Sequence, residues 1–135
     1  MGLILKAHLS LVVTLLLCCA GCGGSALQKA KGQILVGGKN YQVGAQEQLL
    51  VIFYPDVPSP GVTYPAEVKP DGSFETVGLE GNGIPPGKYR VSVSNMGRLS
   101  VTIPPELGQP TSPVVREVLQ GKETLDPIDI TRPAG

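Results

Sequence analysis

Residues 69–93 read Lys-Pro-Asp-Gly-Ser-Phe-Glu-Thr-Val-Gly-Leu-Glu-Gly-Asn-Gly-Ile-Pro-Pro-Gly-Lys-Tyr-Arg-Val-Ser-Val, and this stretch decides the fold class. Near its start, Pro70-Asp71-Gly72-Ser73 combines a residue with fixed φ, a side chain that can bond its own backbone, and a glycine that accepts positive φ. These four residues predict a turn, with a hairpin formed by the strands on either side.

The end of the same stretch predicts a strand. After Pro85-Pro86-Gly87, Tyr89, Val91 and Val93 alternate with polar residues, which is the period of two expected for a half-buried strand. The phenol of Tyr89 has two interpretations: it bonds the backbone near the preceding turn, as in the tyrosine corner of sandwich folds, or it lines a ligand site. We favour the first interpretation.

The Asp-Gly-Ser-Phe turn, the Gly/Pro-rich loop and Pro-Pro-Gly-Lys-Tyr-Arg-Val together resemble a known family. They are similar to the transthyretin-like, carboxypeptidase regulatory-like domains found in many bacterial surface lipoproteins. The resemblance covers Cys22 and about residues 32–131. We assign residues 132–135 to a disordered tail. The resemblance implies an all-β fold, with a seven- to eight-stranded antiparallel β-sandwich over residues 32–131. It adds no active site, because the regulatory modules of carboxypeptidases are accessory to a separate catalytic domain.

Residues 48–55 read Gln-Leu-Leu-Val-Ile-Phe-Tyr-Pro and carry apolar side chains on both alternating faces. In a two-layer sandwich only one face of a strand looks into the core. The family pattern places Val51 and Phe53 inward and turns three apolar residues outward: Leu50, Ile52 and Tyr54. That outward face is either a partner surface or a surface covered by a neighbouring loop, residues 56–63 or 78–86.

Several other segments have the alternation of strands. They are residues 32–39, residues 64–69, the segment that contains Leu99, Val101 and Ile103, residues 114–118, and a closing strand with Leu125, Ile128 and Ile130. The third is either a new strand or the continuation of the preceding one across a bend. Pro127 restricts the closing strand to a sheet edge or a bulge.

The N-terminal residues predict export. Lys6 precedes an apolar run over residues 9–17, which is the pattern of a signal peptide, and we assign residues 1–21 to a signal helix of this kind. A transmembrane helix is the alternative. The apolar stretch from Leu9 to Ala20 is shorter than the roughly 20 residues that span a bilayer.

Cys19-Ala20-Gly21-Cys22 resembles the lipobox of bacterial lipoproteins, in which small residues precede the cysteine that carries the lipid. It departs from the family pattern at Cys19, where leucine is usual. The resemblance implies lipidation of Cys22, a membrane anchor and a place in the cell envelope, facing the periplasm or the cell exterior, with the outer membrane favoured because Gly23 is not an aspartate. Secretion without lipid is the alternative, and it would leave an unpaired thiol in an exported protein.

Residues 22–31 lack apolar periodicity and predict a flexible tether, with a short amphipathic helix over 26–31 as the alternative. Without residues 1–21, which contain Lys6 and no acidic residue, ten basic and eleven acidic residues remain, a formal charge of −1. This balance gives no indication of a nucleic-acid partner. Stability must come from packing, because no pair of cysteines remains for a disulfide.

The sole histidine, His8, also lies in the predicted signal peptide. The remaining chain therefore lacks the residues for Ser-His-Asp or Cys-His catalysis and for a His-ligated zinc site. Hydroxyisourate hydrolases, the enzymatic relatives of transthyretin, depend on histidines and a Tyr-Arg-Gly-Ser ending, and neither is present. We expect no cofactor and no metal.

Two functional classes are consistent with these patterns. The first is a non-catalytic surface module that binds another envelope protein or a glycan, or serves as an envelope component. The second is a glycan hydrolase with a pair of carboxylates, drawn from five candidates: Asp56, Glu67, Asp71, Glu75 and Glu80. The glycine-rich residues 77–84 lack the Gly-Lys-Ser/Thr of a phosphate loop, and a calcium loop would need Asp71, Glu75, Glu80 and Asn82 without the usual Asp-x-Asp-x-Asp-Gly spacing.

Overall fold

The structure is a computed structural model that describes residues 26–57 and 61–131. The predicted signal peptide, Cys22 and the predicted tail over 132–135 lie outside the described residues. Within the described ranges the all-β prediction is confirmed: there are eight strands and one short 3-10 helix, Pro105–Gly108. The strands are β1 (Lys31–Val36), β2 (Lys39–Asn40), β3 (Leu49–Pro55), β4 (Tyr64–Glu67), β5 (Ser73–Glu75), β6 (Gly87–Asn95), β7 (Val115–Val118) and β8 (Ile128–Asp129). No helix in these ranges has the length and apolar character needed to cross a membrane.

The strands form two sheets. In the first, β1 pairs with β2 and β5 in antiparallel fashion and with β8 in parallel fashion. The second is fully antiparallel, in the order β4-β3-β6-β7. The parallel β1 and β8 pair corrects the expectation of a wholly antiparallel arrangement. After β7, which belongs to the second sheet, the chain crosses back to the first sheet. There β8 runs in the same direction as β1 and pairs with it.

The turn at residues 70–73 is confirmed, but the predicted hairpin is wrong. The Gly72 amide donates to the Lys69 carbonyl at 2.9 Å, and Asp71 Oδ1 accepts from the amide and the hydroxyl of Ser73. Gly72 has φ +81°, which glycine adopts without strain. The strands before and after the turn, β4 and β5, nevertheless belong to different sheets. The turn therefore carries the chain from one sheet to the other.

Packing of Phe74 explains this crossover. On β5 it pairs with Gly32 of β1, and its ring contacts the ring of Phe53 on β3, with centroids 6.1 Å apart. Phe53 also meets Tyr89 of β6 nearly at right angles, with centroids 5.9 Å apart. The two sheets thus share one core. Val51 and Phe53 are fully buried in it, which confirms their predicted inward orientation.

The folded region begins before the predicted boundary at residue 32. Gln28 pairs with Ile84, Ala30 is fully buried, and β1 starts at Lys31. Residues 26–31 do not form the alternative helix. The last residues of the predicted tether therefore belong to the first sheet, because their backbone groups are paired and Ala30 fills the core.

The glycine-rich loop between β5 and β6 has a packing role. Gly83 has φ +103°, and a side chain there would begin 2.4 Å from the backbone carbon of Gln28. Only glycine allows the loop to approach the N-terminal segment this closely. This contact gives Gly83 a structural role, in a segment that also lacks the Gly-Lys-Ser/Thr of a phosphate loop.

The strand predicted around Leu99, Val101 and Ile103 is wrong. These residues are partly buried and pack against the core, but residues 96–104 form no strand. The amide of Ser100 donates to the carboxylate of Glu47 at 2.8 Å. A backbone donor within the segment is thus satisfied by a side chain, so that burial of alternate residues does not require a sheet.

The closing strands largely agree with expectation. β7 occupies most of the predicted 114–118 segment, and Leu125, Ile128 and Ile130 are buried. β8 pairs with β1 alone, so it is an edge strand directly after Pro127, as predicted. Arg116 of β7 donates to the carbonyl oxygens of Asp126 at 2.9 Å and Pro127 at 2.6 Å. It thereby connects β7 of one sheet with the segment that leads into β8 of the other.

Candidate functional site

The outward face of β3 is the strongest candidate for a binding surface. Leu49, Val51 and Phe53 are fully buried on the inward side. The alternating residues Leu50, Ile52 and Tyr54 are half-buried on the other side. The core is therefore filled without these three apolar side chains, and their position away from it agrees with the sequence prediction.

Four of the five cross-strand neighbours of this apolar row are polar, and one of these four, Ser92, is fully buried. Cross-strand partners of the three residues are Glu67 and Ser94 beside Leu50, Pro65 and Ser92 beside Ile52, and Arg90 beside Tyr54.

Ser92 marks the centre of this outward face. Its sequence neighbours Val91 and Val93 are in the core, so its side chain lies on the outward side of β6. The residue is 0% exposed, and its hydroxyl makes no hydrogen bond within the described part of the chain. Burying a hydroxyl in this way costs about 1–3 kcal/mol. The outward face is thus closed to solvent at Ser92, while the three apolar side chains of the row on β3 are half-buried.

Arg90 and Asp56 form an ion pair at the margin of the face. The Arg90 Nε lies 3.3 Å from Asp56 Oδ1, and a second guanidinium nitrogen donates to the Ser112 carbonyl at 3.2 Å. The Asp56 amide also donates to the Lys88 carbonyl. The start of the loop after β3 is therefore held along β6, and Asp56 serves a structural purpose there.

Two of the five carboxylate candidates border the same groove. Glu67, which is exposed, and Glu75, which is half-buried, border a groove of about 410 Å³ that also includes Lys69. The other three are separate from this pair. Asp71 accepts the hydrogen bonds of the turn, Asp56 pairs with Arg90, and Glu80 lies in the exposed loop between β5 and β6.

Glu47 is a polar centre that the sequence did not indicate. One carboxylate oxygen accepts from the Tyr41 hydroxyl at 2.6 Å and the Gly44 amide at 2.7 Å, and the other accepts from the Ser100 amide. The hydrogen bond from Tyr41 contributes most to lowering the pKa of Glu47 from 4.5 to about 2. Glu47 and Glu67 both line a second groove, of about 430 Å³. No local pattern could have revealed this network, because Ser100 is 53 residues away in the chain.

Tyr89 takes its predicted structural role. Its hydroxyl donates to the carbonyl oxygen of Pro85 at 2.6 Å, which is the backbone bond expected of a tyrosine corner. Burial, with the nearby Tyr64 phenol, raises the pKa of Tyr89 from 10.0 to about 12. The Tyr89 hydroxyl thus stabilises the turn before β6.

Within residues 26–57 and 61–131, no three histidine, cysteine, aspartate or glutamate side chains come together as a metal site would require. The four residues of the calcium-loop alternative are distributed between the turn at 70–73, β5 and the following loop. The proposed lipidation site, Cys22, precedes the first described residue.

Comparison of this chain with protein-family models, with curated proteins and with solved structures gives no match.

Proposed function

We propose that this protein is a membrane-anchored, extracytoplasmic lipoprotein whose folded part is a non-catalytic, transthyretin-like β-sandwich module. Its role is to bind another component of the cell envelope at the outward face of the β4-β3-β6-β7 sheet. The resemblance of Cys19-Ala20-Gly21-Cys22 to a lipobox supports the anchor. The two-sheet architecture and the hydrogen bond between Tyr89 and Pro85 support the sandwich assignment.

The observation that carries the binding proposal is the apolar row of Leu50, Ile52 and Tyr54. The inward residues of β3 already fill the core, so this row does not contribute to it. Apolar side chains flanked mainly by polar residues favour a protein partner among the envelope components considered. A glycan is the alternative ligand of the same face.

Anchoring is tested by the mass of the N-terminal peptide and by membrane fractionation. We expect Cys22 to carry acyl chains and the protein to sediment with membranes, preferentially the outer membrane. The Cys22→Ser variant should lose both properties. An unmodified Cys22 in a protein released from the membrane would contradict the proposal.

Binding is tested with a photo-reactive amino acid at position 52, with position 42 as the matched control. Gln42 is exposed and lies outside β3, so cross-linking there reports nonspecific encounters. We expect one specific cross-linked product at position 52, which Tyr54→Ser should weaken without loss of folding by circular dichroism. Identical products at positions 52 and 42 would show that the apolar row is not a binding site.

The hydrolase alternative has one specific observation in its favour, the groove shared by Glu67 and Glu75. Paired carboxylates are the usual catalytic groups of glycosidases. Release of reducing ends from envelope glycans by the purified protein, abolished by Glu75→Gln, would support this alternative. The binding proposal predicts no such release.

A further inference from the structure

Three segments meet around Gln28, near the first described residue. The Gln28 amide donates to the Ile84 carbonyl at 2.8 Å, and the Ile84 amide donates back at 3.0 Å. The side-chain oxygen of Gln28 accepts from the Gly121 amide at 3.0 Å. The loop before β6 and the loop after β7 therefore both lie beside the point where the chain joins the first sheet.

These three segments carry exposed apolar side chains, which we call the apolar tip: Leu27, Val77, Leu79 and Leu119. Leu79 is 74% exposed, the largest value among the large hydrophobic residues of the described ranges. The core position of its loop is taken by Ile84, which is fully buried. Packing within the protein therefore gives no reason for leucine at position 79.

The apolar tip also lies close in sequence to the proposed anchor. Four peptide units separate Cys22 from Ala26, and they can span at most about 14 Å when fully extended. A lipid on Cys22 would hold the segment that contains Leu27 near the bilayer surface. The loops that pair with Gln28 would be held there with it.

The charged residues around the apolar tip are of both signs. Lys29 and Lys122 are exposed, and so are Glu80 and Glu123. A surface of this kind is suited to apolar contact with lipid and needs no attraction to anionic headgroups, since apolar burial is independent of charge.

We propose that the apolar tip inserts into the interface of the bilayer that holds the Cys22 anchor. This inference rests on the proposed function, because it requires the lipid on Cys22. Insertion would orient the domain with the start of β6 next to the membrane. The end of β6 would then lie about 26 Å further along the strand axis. The outward face of β3 would remain available to a partner in the same membrane.

A tryptophan reporter tests this orientation, since the chain contains no tryptophan. The full lipidated chain, purified in detergent, is reconstituted into phosphatidylcholine vesicles with brominated acyl chains, which quench tryptophan by contact. One variant carries Leu79→Trp. The matched control carries Met96→Trp, because Met96 is 64% exposed and follows the opposite end of β6. Leu119→Trp is a second reporter in case Leu79→Trp does not fold.

We expect a blue shift and loss of fluorescence for tryptophan at position 79 or 119, and neither change at position 96. Quenching at positions 79 and 96 alike would overturn the orientation. An anchored protein with no quenching at position 79 or 119 would overturn the insertion while leaving the lipoprotein proposal intact. A protein without acyl mass on Cys22 that stays out of the vesicles would overturn both. A blue shift at position 79 that depends on protein concentration, without vesicles, would assign the tip to contact between copies and overturn lipid insertion.

Discussion

The Tyr89 hydroxyl donates a 2.6 Å hydrogen bond to the carbonyl oxygen of Pro85, four residues earlier in the chain. This bond joins the first residues of β6 to the loop before it. The ring of Tyr89 is packed against Phe53 and Tyr64, both at nearly right angles. Tyr89 therefore couples a local turn to the shared core.

Tyr89→Phe should lower the free energy of unfolding by about 1 kcal/mol, because the ring contacts remain and one hydrogen bond is lost. Urea denaturation measures this change. Tyr64→Phe is the matched control, since the Tyr64 hydroxyl makes no hydrogen bond within the described residues, and we expect a smaller effect from it. The pKa of Tyr89 is raised from 10.0 to about 12, so its stabilising contribution is complete below pH 10 and is lost as the pH rises toward 12. This part of the alkaline destabilisation should be missing in Tyr89→Phe.

Glu47→Gln should lower the melting temperature at pH 7. The NH₂ group of the glutamine side chain would replace a carboxylate oxygen that now accepts hydrogen bonds, and it would face a donor instead of accepting from it. The pKa of Glu47 is depressed from 4.5 to about 2 by the Tyr41 hydroxyl and the amides of Gly44 and Ser100. Its contribution is therefore present above about pH 4.5 and disappears as the pH falls toward 2. Between pH 2 and 4.5 the melting temperature should depend less on pH in Glu47→Gln than in the protein with its natural sequence. Glu67→Gln, a substitution at an exposed position, should leave the dependence of the melting temperature on pH unchanged. Parallel profiles for all three proteins would show that the carboxylate hydrogen bonds do not stabilise the fold.

Thr76→Val should destabilise the N-terminal segment selectively. The Thr76 hydroxyl is buried and accepts the Ala30 amide at 2.8 Å. Valine keeps the shape but leaves that buried amide without its partner, at a cost of about 1–3 kcal/mol. Hydrogen exchange of the Ala30 amide should accelerate by more than exchange of core amides in β3. Equal acceleration at both places would indicate general loss of stability instead.

Gly32→Ala should destabilise the first sheet. A Cβ atom at Gly32 would begin 2.1 Å from the Phe74 ring, which lies over this glycine in the β1 and β5 pair. Phe74 would have to move within the core, and overpacking of this kind costs about 1–3 kcal/mol. Gly108→Ala is the matched control, because its Cβ would meet only the Val93 carbonyl, at an ordinary 3.8 Å. Equal stability of the two variants by urea denaturation would mean that the ring adjusts without strain.

The sequence was most informative where the signal is local. Along β3 the period of two separates Val51 and Phe53 from Leu50, Ile52 and Tyr54, and the burial agrees with the inward orientation of Val51 and Phe53 that the family resemblance implied. The period of two failed around Leu99 and Ile103, where partly buried residues alternate without forming a strand. Alternation reports which side chains are buried, and a sheet also requires a neighbouring backbone to pair with.

The candidate functional residues show the same difference between features that lie within one segment and features that join distant segments. The apolar row on β3 could be predicted because its residues alternate within one strand and the family resemblance implied which side faces outward. The Glu47 network and the apolar tip could not, since each brings together segments that are distant in the chain. Cys22 could be proposed from sequence alone, through its resemblance to a lipobox.

By itself, the sequence determined the all-β class and the turn at residues 70–73, because φ restrictions and side-chain alternation act over a few residues. Tertiary structure alone decided which strands pair. The Asp71 turn could have closed a hairpin, but β5 pairs with β1, where Phe74 packs against Phe53, and β8 joins β1 in parallel. Backbone groups offer similar hydrogen bonds to any neighbouring strand, so the choice depends on which arrangement buries these distant side chains together.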